Sequence, residues 1–156
     1  MLDEVLTDDH ARIDLYLKQF LDSLKNGSRI DEDSFHVAKV SLRNHIFWEE
    51  EYLFKAVYSG NEVLIKGLEA EHGSVWKMLD LIESLLRSES GKATVIKNTE
   101  ALLRVLKGHN GTEEGGIYIL LDKLSNEEQA ALLAKEVALA SAPAGWVCTV
   151  LKGPVK

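Results

Sequence analysis

Apolar residues recur every three to four positions over most of the chain, the period of helices that bury one face. A first segment, about residues 2–25, carries Leu6, His10, Ile13, Leu17 and Leu21 on one face and ends at Asn26-Gly27-Ser28. A second, about 31–58, opens at Asp31 or Asp33 as N-cap. It aligns Ala38, Leu42, His45, Glu49, Tyr52 and Ala56, and Ser59-Gly60-Asn61 breaks it. A third, about 62–88, aligns Leu64, Leu68, His72, Val75, Leu79 and Leu86. A fourth, about 92–123, aligns Val95, Thr99, Leu102, Leu106, His109, Glu113 and Leu120. A shorter fifth segment, about 126–141, follows the N-terminal signature Ser125-Asn126-Glu127-Glu128. The only prolines are Pro143 and Pro154, so nothing before residue 143 forbids long helices. Four long helices with short connections predict an all-α, up-down-up-down four-helix bundle. Residues 1–124 would form that bundle, and 125–156 a C-terminal helix and apolar tail packed on the same domain.

Polar residues interrupt the inward stripes at a common height. In such a bundle the start of the first helix, the end of the second, the start of the third and the end of the fourth share one end. At about 1.5 Å per residue, His10 lies roughly 12 Å from that end and His72 roughly 16 Å. His45 with Glu49, and His109 with Glu113, bracket a level roughly 14–20 Å in. A His and a Glu four residues apart share a helical face. Four imidazoles and two carboxylates thus fall in one layer of the core. A single core histidine is more often a satisfied packing residue than a ligand, but a core-facing Glu is rarely buried without a partner. Pairing of Glu49 and Glu113 with buried Arg or Lys is the competing explanation, and few basic residues fall on the inward faces. The six together predict a two-metal site with two bridging carboxylates. Imidazole and carboxylate donors suit iron or manganese, and ligand type alone admits zinc. His36 is out of phase with His45 and should face away; Glu50, Glu51 and Glu114 lie off the central stripe, where a solvated face is expected. A local bulge in the helix would bring Glu114 inward.

Composition narrows the class. The chain has 156 residues, 46% of them hydrophobic, enough for one domain with a real core. A net charge of -7 argues against nucleic acid, whose phosphates call for clustered Lys and Arg. No run of about 20 apolar residues is present to span a membrane. The N-terminus lacks the pattern of a secretory signal, so a cytoplasmic location is expected. A single cysteine, Cys148, excludes an intramolecular disulfide and thiolate-rich zinc sites.

The chain resembles the hemerythrin family, in particular the hemerythrin-like HHE cation-binding domains, over roughly residues 5–123. The resemblance rests on DDH at His10, HIFWEEEYLF from His45, EAEH at His72 and HNGTEE from His109, in that order and at those intervals. It implies a four-helix bundle holding two iron ions joined by an oxo or hydroxo bridge. His10 and His45 would bind one iron and His72 and His109 the other, with Glu49 and Glu113 as bridges. Two departures stand out. Oxygen-carrying hemerythrins have a second histidine four residues after the first on the third helix, and here that residue is Trp76. Glu69, one turn before His72, or water would have to replace it. In the oxygen carriers the last carboxylate lies five residues after its histidine, which would be Glu114; the spacing of four selects Glu113. These departures tell against reversible oxygen carriage and not against metal binding.

The function expected is therefore binding or sensing of oxygen, another diatomic ligand or redox state at a di-iron centre, with no dedicated catalytic residues. A di-iron oxidase or peroxide-consuming enzyme is one alternative. An iron-handling regulatory module is another, with the apolar tail 143–151 docking a protein partner or a second copy. Phe47, Trp48, Tyr52, Val75 and Trp76 are candidates for an apolar shell. Gly108, Gly111, Gly115 and Gly116 crowd around His109: either they make room for the metals, or the helix breaks near Gly111 and restarts with Thr112 as N-cap.

Overall fold

A computed structural model describes residues 2–124 and 127–153, and the side chains of 127–130 are outside the description. The predicted start signal at Ser125-Asn126 lies outside the described residues. Helix α1 spans Leu2–Asn26. Helix α2 begins at Glu32, with the Asp31 carboxylate accepting from Ser34 N at 3.0 Å, which selects Asp31 over Asp33 as the cap. It runs α-helically to Trp48, takes a π-helical turn over Glu49–Leu53 and ends with Phe54–Ala56. Helix α3 is Glu62–Arg87. Helix α4 repeats the design of α2: α-helix Lys92–Thr112, a π-turn over Glu113–Ile117, then Tyr118–Asp122. A shorter α5, Glu127–Leu139, and a 3-10 turn, Thr149–Leu151, complete the described chain.

The four long helices close a ring, α1 on α2, α2 on α3, α3 on α4 and α4 back on α1. Two apolar clusters fill it. One takes Ile13 to Leu24 of α1, Phe35 to Ile46 of α2, Val75 to Ile82 of α3 and Val95 to Leu106 of α4. The other takes Leu2 and Leu6, Leu53 to Val57, Ile65 and Leu68, and Ile117 to Leu121, with Leu133 and Val137 of α5 packed on it. Early α1 thus meets late α2, early α3 and late α4, as up-down-up-down order requires. The polar layer lies between the clusters, and each buried large apolar side chain around it contributes about 1.5–3 kcal/mol.

The π-turns correct the predicted stripes. Past Glu49 the buried apolar residues are Leu53, Phe54 and Val57, not Tyr52 and Ala56; past Glu113 the buried residues are Ile117, Tyr118 and Leu121, with Leu120 only partly buried. A π-turn inserts one residue and moves every later side chain round by that residue's rotation. Neither reading of the glycines holds. The helix runs unbroken through Gly111, and Thr112 Oγ1 donates back to the Gly108 carbonyl at 3.1 Å instead of capping. A Cβ at Gly108, Gly111 or Gly115 would meet nothing within 4 Å, and at Gly116 only Leu64, at 3.7 Å, so none of the four clears space for the site.

The tail folds back on the bundle. Trp48 Nε1 donates to the Ala140 carbonyl at 2.9 Å, and Ala142 N to Asn44 Oδ1 at 2.8 Å. Trp146 packs edge-on against Phe47 and Trp76. No described helix is long and apolar enough to cross a membrane.

Candidate metal centre

Four helices each bring one imidazole and two of them each bring one carboxylate to the layer between the cores. His10, His45, Glu49, His72, His109 and Glu113 are all buried. They form two groups of four: His10, His45, Glu49 and Glu113, and Glu49, His72, His109 and Glu113. Both carboxylates belong to both groups. Glu49 turns Oε1 to His45 Nε2 at 3.2 Å and Oε2 to His72 Nε2 at 3.1 Å. Glu113 turns Oε2 to His10 Nε2 at 3.3 Å and Oε1 to His72 and His109 Nε2 at 3.3 and 2.8 Å.

These separations suit cations. Ligand atoms about 2.1 Å from a hard ion in octahedral geometry stand about 3 Å apart, as the donors here do. Glu49 Oε2 is buried and accepts no well-directed hydrogen bond, although His72 Nε2 is near. A buried carboxylate oxygen without a donor is costly unless an ion meets it. Neither glutamate pairs with Lys or Arg among the described residues; the buried Lys39 pairs with Asp80 and Glu83 instead. The residues present fit a pair of metal ions held by nitrogen and oxygen.

The outer nitrogens complete the arrangement. Every Nδ1 faces a carboxylate from the preceding helix in the ring. Asp9 on α1 takes His45 at 2.8 Å, Glu50 on α2 takes His72 at 2.8 Å, Glu71 on α3 takes His109 at 2.6 Å, and Glu114 on α4 takes His10 at 2.9 Å. Each of the four sits next in sequence to one of the six donors. Such a carboxylate orients the imidazole, leaves Nε2 free for a metal and raises its basicity. Glu50 and Glu114 therefore do not occupy merely solvated positions: Glu50 is buried, and Glu114 is part-exposed with one oxygen on His10. Glu69 is partly buried and belongs to neither donor group. His36 is exposed, as its phase predicts.

Tyr118, like the outer carboxylates, is a site residue that sequence reasoning missed. Its hydroxyl donates to Glu49 Oε1 at 2.6 Å and lies 2.9 Å from His45 Nε2 and 3.1 Å from His10 Nε2. It follows Glu113 by five residues, which in an α-helix is about 140° out of phase; the π-turn restores the phase. Nothing local announced the slip, since the matching π-turn over Glu49–Leu53 has no glycine. Among the expected shell residues, Val75 lines the centre and Trp48 lies 5.8 Å from His45. Phe54 stacks on His72 at 5.7 Å, whereas Phe47 and Trp76 pack against Trp146 and Tyr52 against Phe47.

Electrostatics follow from burial and mutual charge. Burial alone would lower the His45 imidazole, but the charge of Glu49 and bonds to Asp9 and Glu49 push it up to about 10. Burial likewise opposes His72 and His109, and their carboxylates outweigh it and raise both. Burial and the charge of Glu113 would raise Glu49, yet His45 and His72 bring it down to about 2. Burial, then the charges of Glu49 and Glu113, raise the Tyr118 phenol far above its ordinary value, so it holds its proton in the metal-free protein. The centre is walled on the apolar side by Leu42, Ile46, Val75 and Leu106.

The family model of the hemerythrin HHE cation-binding domain matches residues 1–121. No curated protein and no solved structure matches the chain.

Proposed function

The chain belongs to the hemerythrin HHE cation-binding family, and from that premise we propose that it is a non-haem di-iron protein binding or sensing oxygen, another diatomic ligand or redox state. The ions would occupy the two groups, with His10 and His45 on one, His72 and His109 on the other, and Glu49 and Glu113 across both. The carrying observation is that each of these two carboxylates directs one oxygen to each side. When bound, iron supplies the ligand affinity and the redox chemistry. The chain orients the imidazoles through four outer carboxylates and walls the site with apolar groups. Close packing of the six side chains with Leu42, Ile46, Val75 and Leu106 around the layer favours a small ligand.

A second reading, a peroxide-consuming or oxidase centre, is favoured by Tyr118, a proton-bearing hydroxyl inside the first donor group. Metal content with an optical spectrum tests the main proposal. Two irons per chain with the absorption of a bridged pair are expected, and His72→Ala should lose at least one. Protein that takes up neither iron, manganese nor zinc would sink both readings. Peroxide turnover by the iron-loaded chain that falls sharply in Tyr118→Phe, with iron content unchanged, would favour the enzyme.

A further inference from the structure

The outer carboxylates are not equivalent. Glu71 and Glu114 are 48% and 37% exposed, and Asp9, 11% exposed, is held by Arg12 at 2.7 Å. Glu50, facing His72, has a side chain with no exposure, and no Lys or Arg of the described residues pairs with it. Its Oε1 serves His72 Nδ1 at 2.8 Å. Its Oε2 accepts from Thr149 N at 2.7 Å and Thr149 Oγ1 at 2.8 Å. Both donors come from the C-terminal tail, outside the family-matched residues 1–121. Without the tail, Oε2 would lose both donors and the segment that covers it, and Glu50 would be free to turn towards water and away from His72.

The rest of the tail is shaped to deliver Thr149 there. Val150 lies against Gly73, the residue after His72, and a Cβ at Gly73 would collide with Val150 Cγ2. Cys148 is fully buried in the core cluster. Trp146 covers Trp76, one turn beyond His72, while its Nε1 donates to Glu51 at 3.2 Å and Lys152 reaches the same oxygen at 3.0 Å.

We propose that Thr149 and Glu50 are a positioning pair for His72, which makes the docked C-terminal tail a working part of the metal centre and couples tail docking to metal retention at the His72–His109 position. The proposal rests on the two-metal reading above. Coupling between two sites is reciprocal, so metal held through His72 must also hold the tail.

The test uses the full chain loaded with ferrous iron without air, and release into excess chelator. Wild type should release iron in two phases. Thr149→Val should speed one phase by about 10-fold or more, the usual scale for losing an outer partner of a ligand, and leave the other unchanged. Thr149→Ser, which keeps the hydroxyl, should restore the slow phase. Hydrogen exchange on wild type gives a readout that needs no variant: amides 146–151 should exchange more slowly with iron bound than without, and Thr149→Val should erase most of that difference. Equal release from wild type and Thr149→Val, acceleration of both phases by one factor, or tail exchange indifferent to iron would each overturn the coupling while leaving the two-metal reading intact. Wild type that binds no iron would overturn the two-metal reading itself, and the coupling with it.

Discussion

Tyr118 shows how much one hydroxyl can weigh in a buried polar layer. It donates to Glu49 and stands among His10, His45 and Glu113. Removing it leaves a buried carboxylate with one donor fewer, a loss of about 1.5–3 kcal/mol for a bond to a charged group. Tyr118→Phe should therefore lower the unfolding free energy of the metal-free protein by that amount in urea titrations. An unchanged midpoint would mean that the histidines alone satisfy Glu49. The six donors were legible in the sequence because an ionisable residue on an apolar stripe is conspicuous. Their outer partners were not, since Asp9, Glu50, Glu71 and Glu114 lie beside the stripes, where an acid ordinarily meets water. What brings them in is the histidine of the next helix, a neighbour that no local pattern names.

At the level of the helix, the two π-turns begin at the two glutamates shared by both groups, Glu49 and Glu113. An unbroken α-helix would have presented Tyr52 and Leu120 inward. The turns substitute Leu53, Phe54, Ile117 and Tyr118. Helical period alone could not register them, because a π-turn is a one-residue slip whose stability comes from packing on neighbouring helices. Gly108 and Gly111, by contrast, sit in regular, exposed α-helix with open space where a Cβ would go. Replacing either by Ala should stabilise the protein by up to about 1 kcal/mol, about 2–4 °C in Tm for a chain of this size, with metal content unchanged. A fall in Tm or loss of metal would show that these glycines serve the site after all.

The whole molecule stacks two apolar cores on one charged layer, and its pH dependence should expose that layer. In the metal-free protein His45 is raised from 6.5 to about 10, and His72 and His109 move the same way. Raised histidines contribute stability that is full below about pH 6.5 and disappears as pH climbs towards 10. Glu49, lowered from 4.5 to about 2, contributes stability that is full above pH 4.5 and disappears towards pH 2. The metal-free chain should then melt highest near pH 5–6 and lower at pH 9, as thermal scans by circular dichroism would register. Metals displace protons from imidazole and bind more tightly as pH rises. The gap in Tm between iron-loaded and metal-free protein should widen over the same interval. A metal-free Tm that stays level from pH 6 to 9 would show that the histidines are not charged in the folded chain.

By itself the sequence determined the bundle, the order of its helices, and the shared height of the six histidine and glutamate side chains in its core. All of these follow from the 3.6-residue period and the lengths between breaks, which are local geometry. Only the tertiary structure decided which oxygen faces which nitrogen, that every Nδ1 meets an acid from the preceding helix, and that Tyr118 enters the centre. The tail shows the difference most plainly. The apolar Trp146, Val147, Val150 and Leu151 pointed to packing on the same domain, with docking of a partner as the alternative, but nothing in the sequence said where on the bundle the tail would lie. The tail has no period to give it a face. Its place is set by the space beside Gly73 and by the Glu50 oxygen that accepts from Thr149, and both are in position only once α2 and α3 have packed.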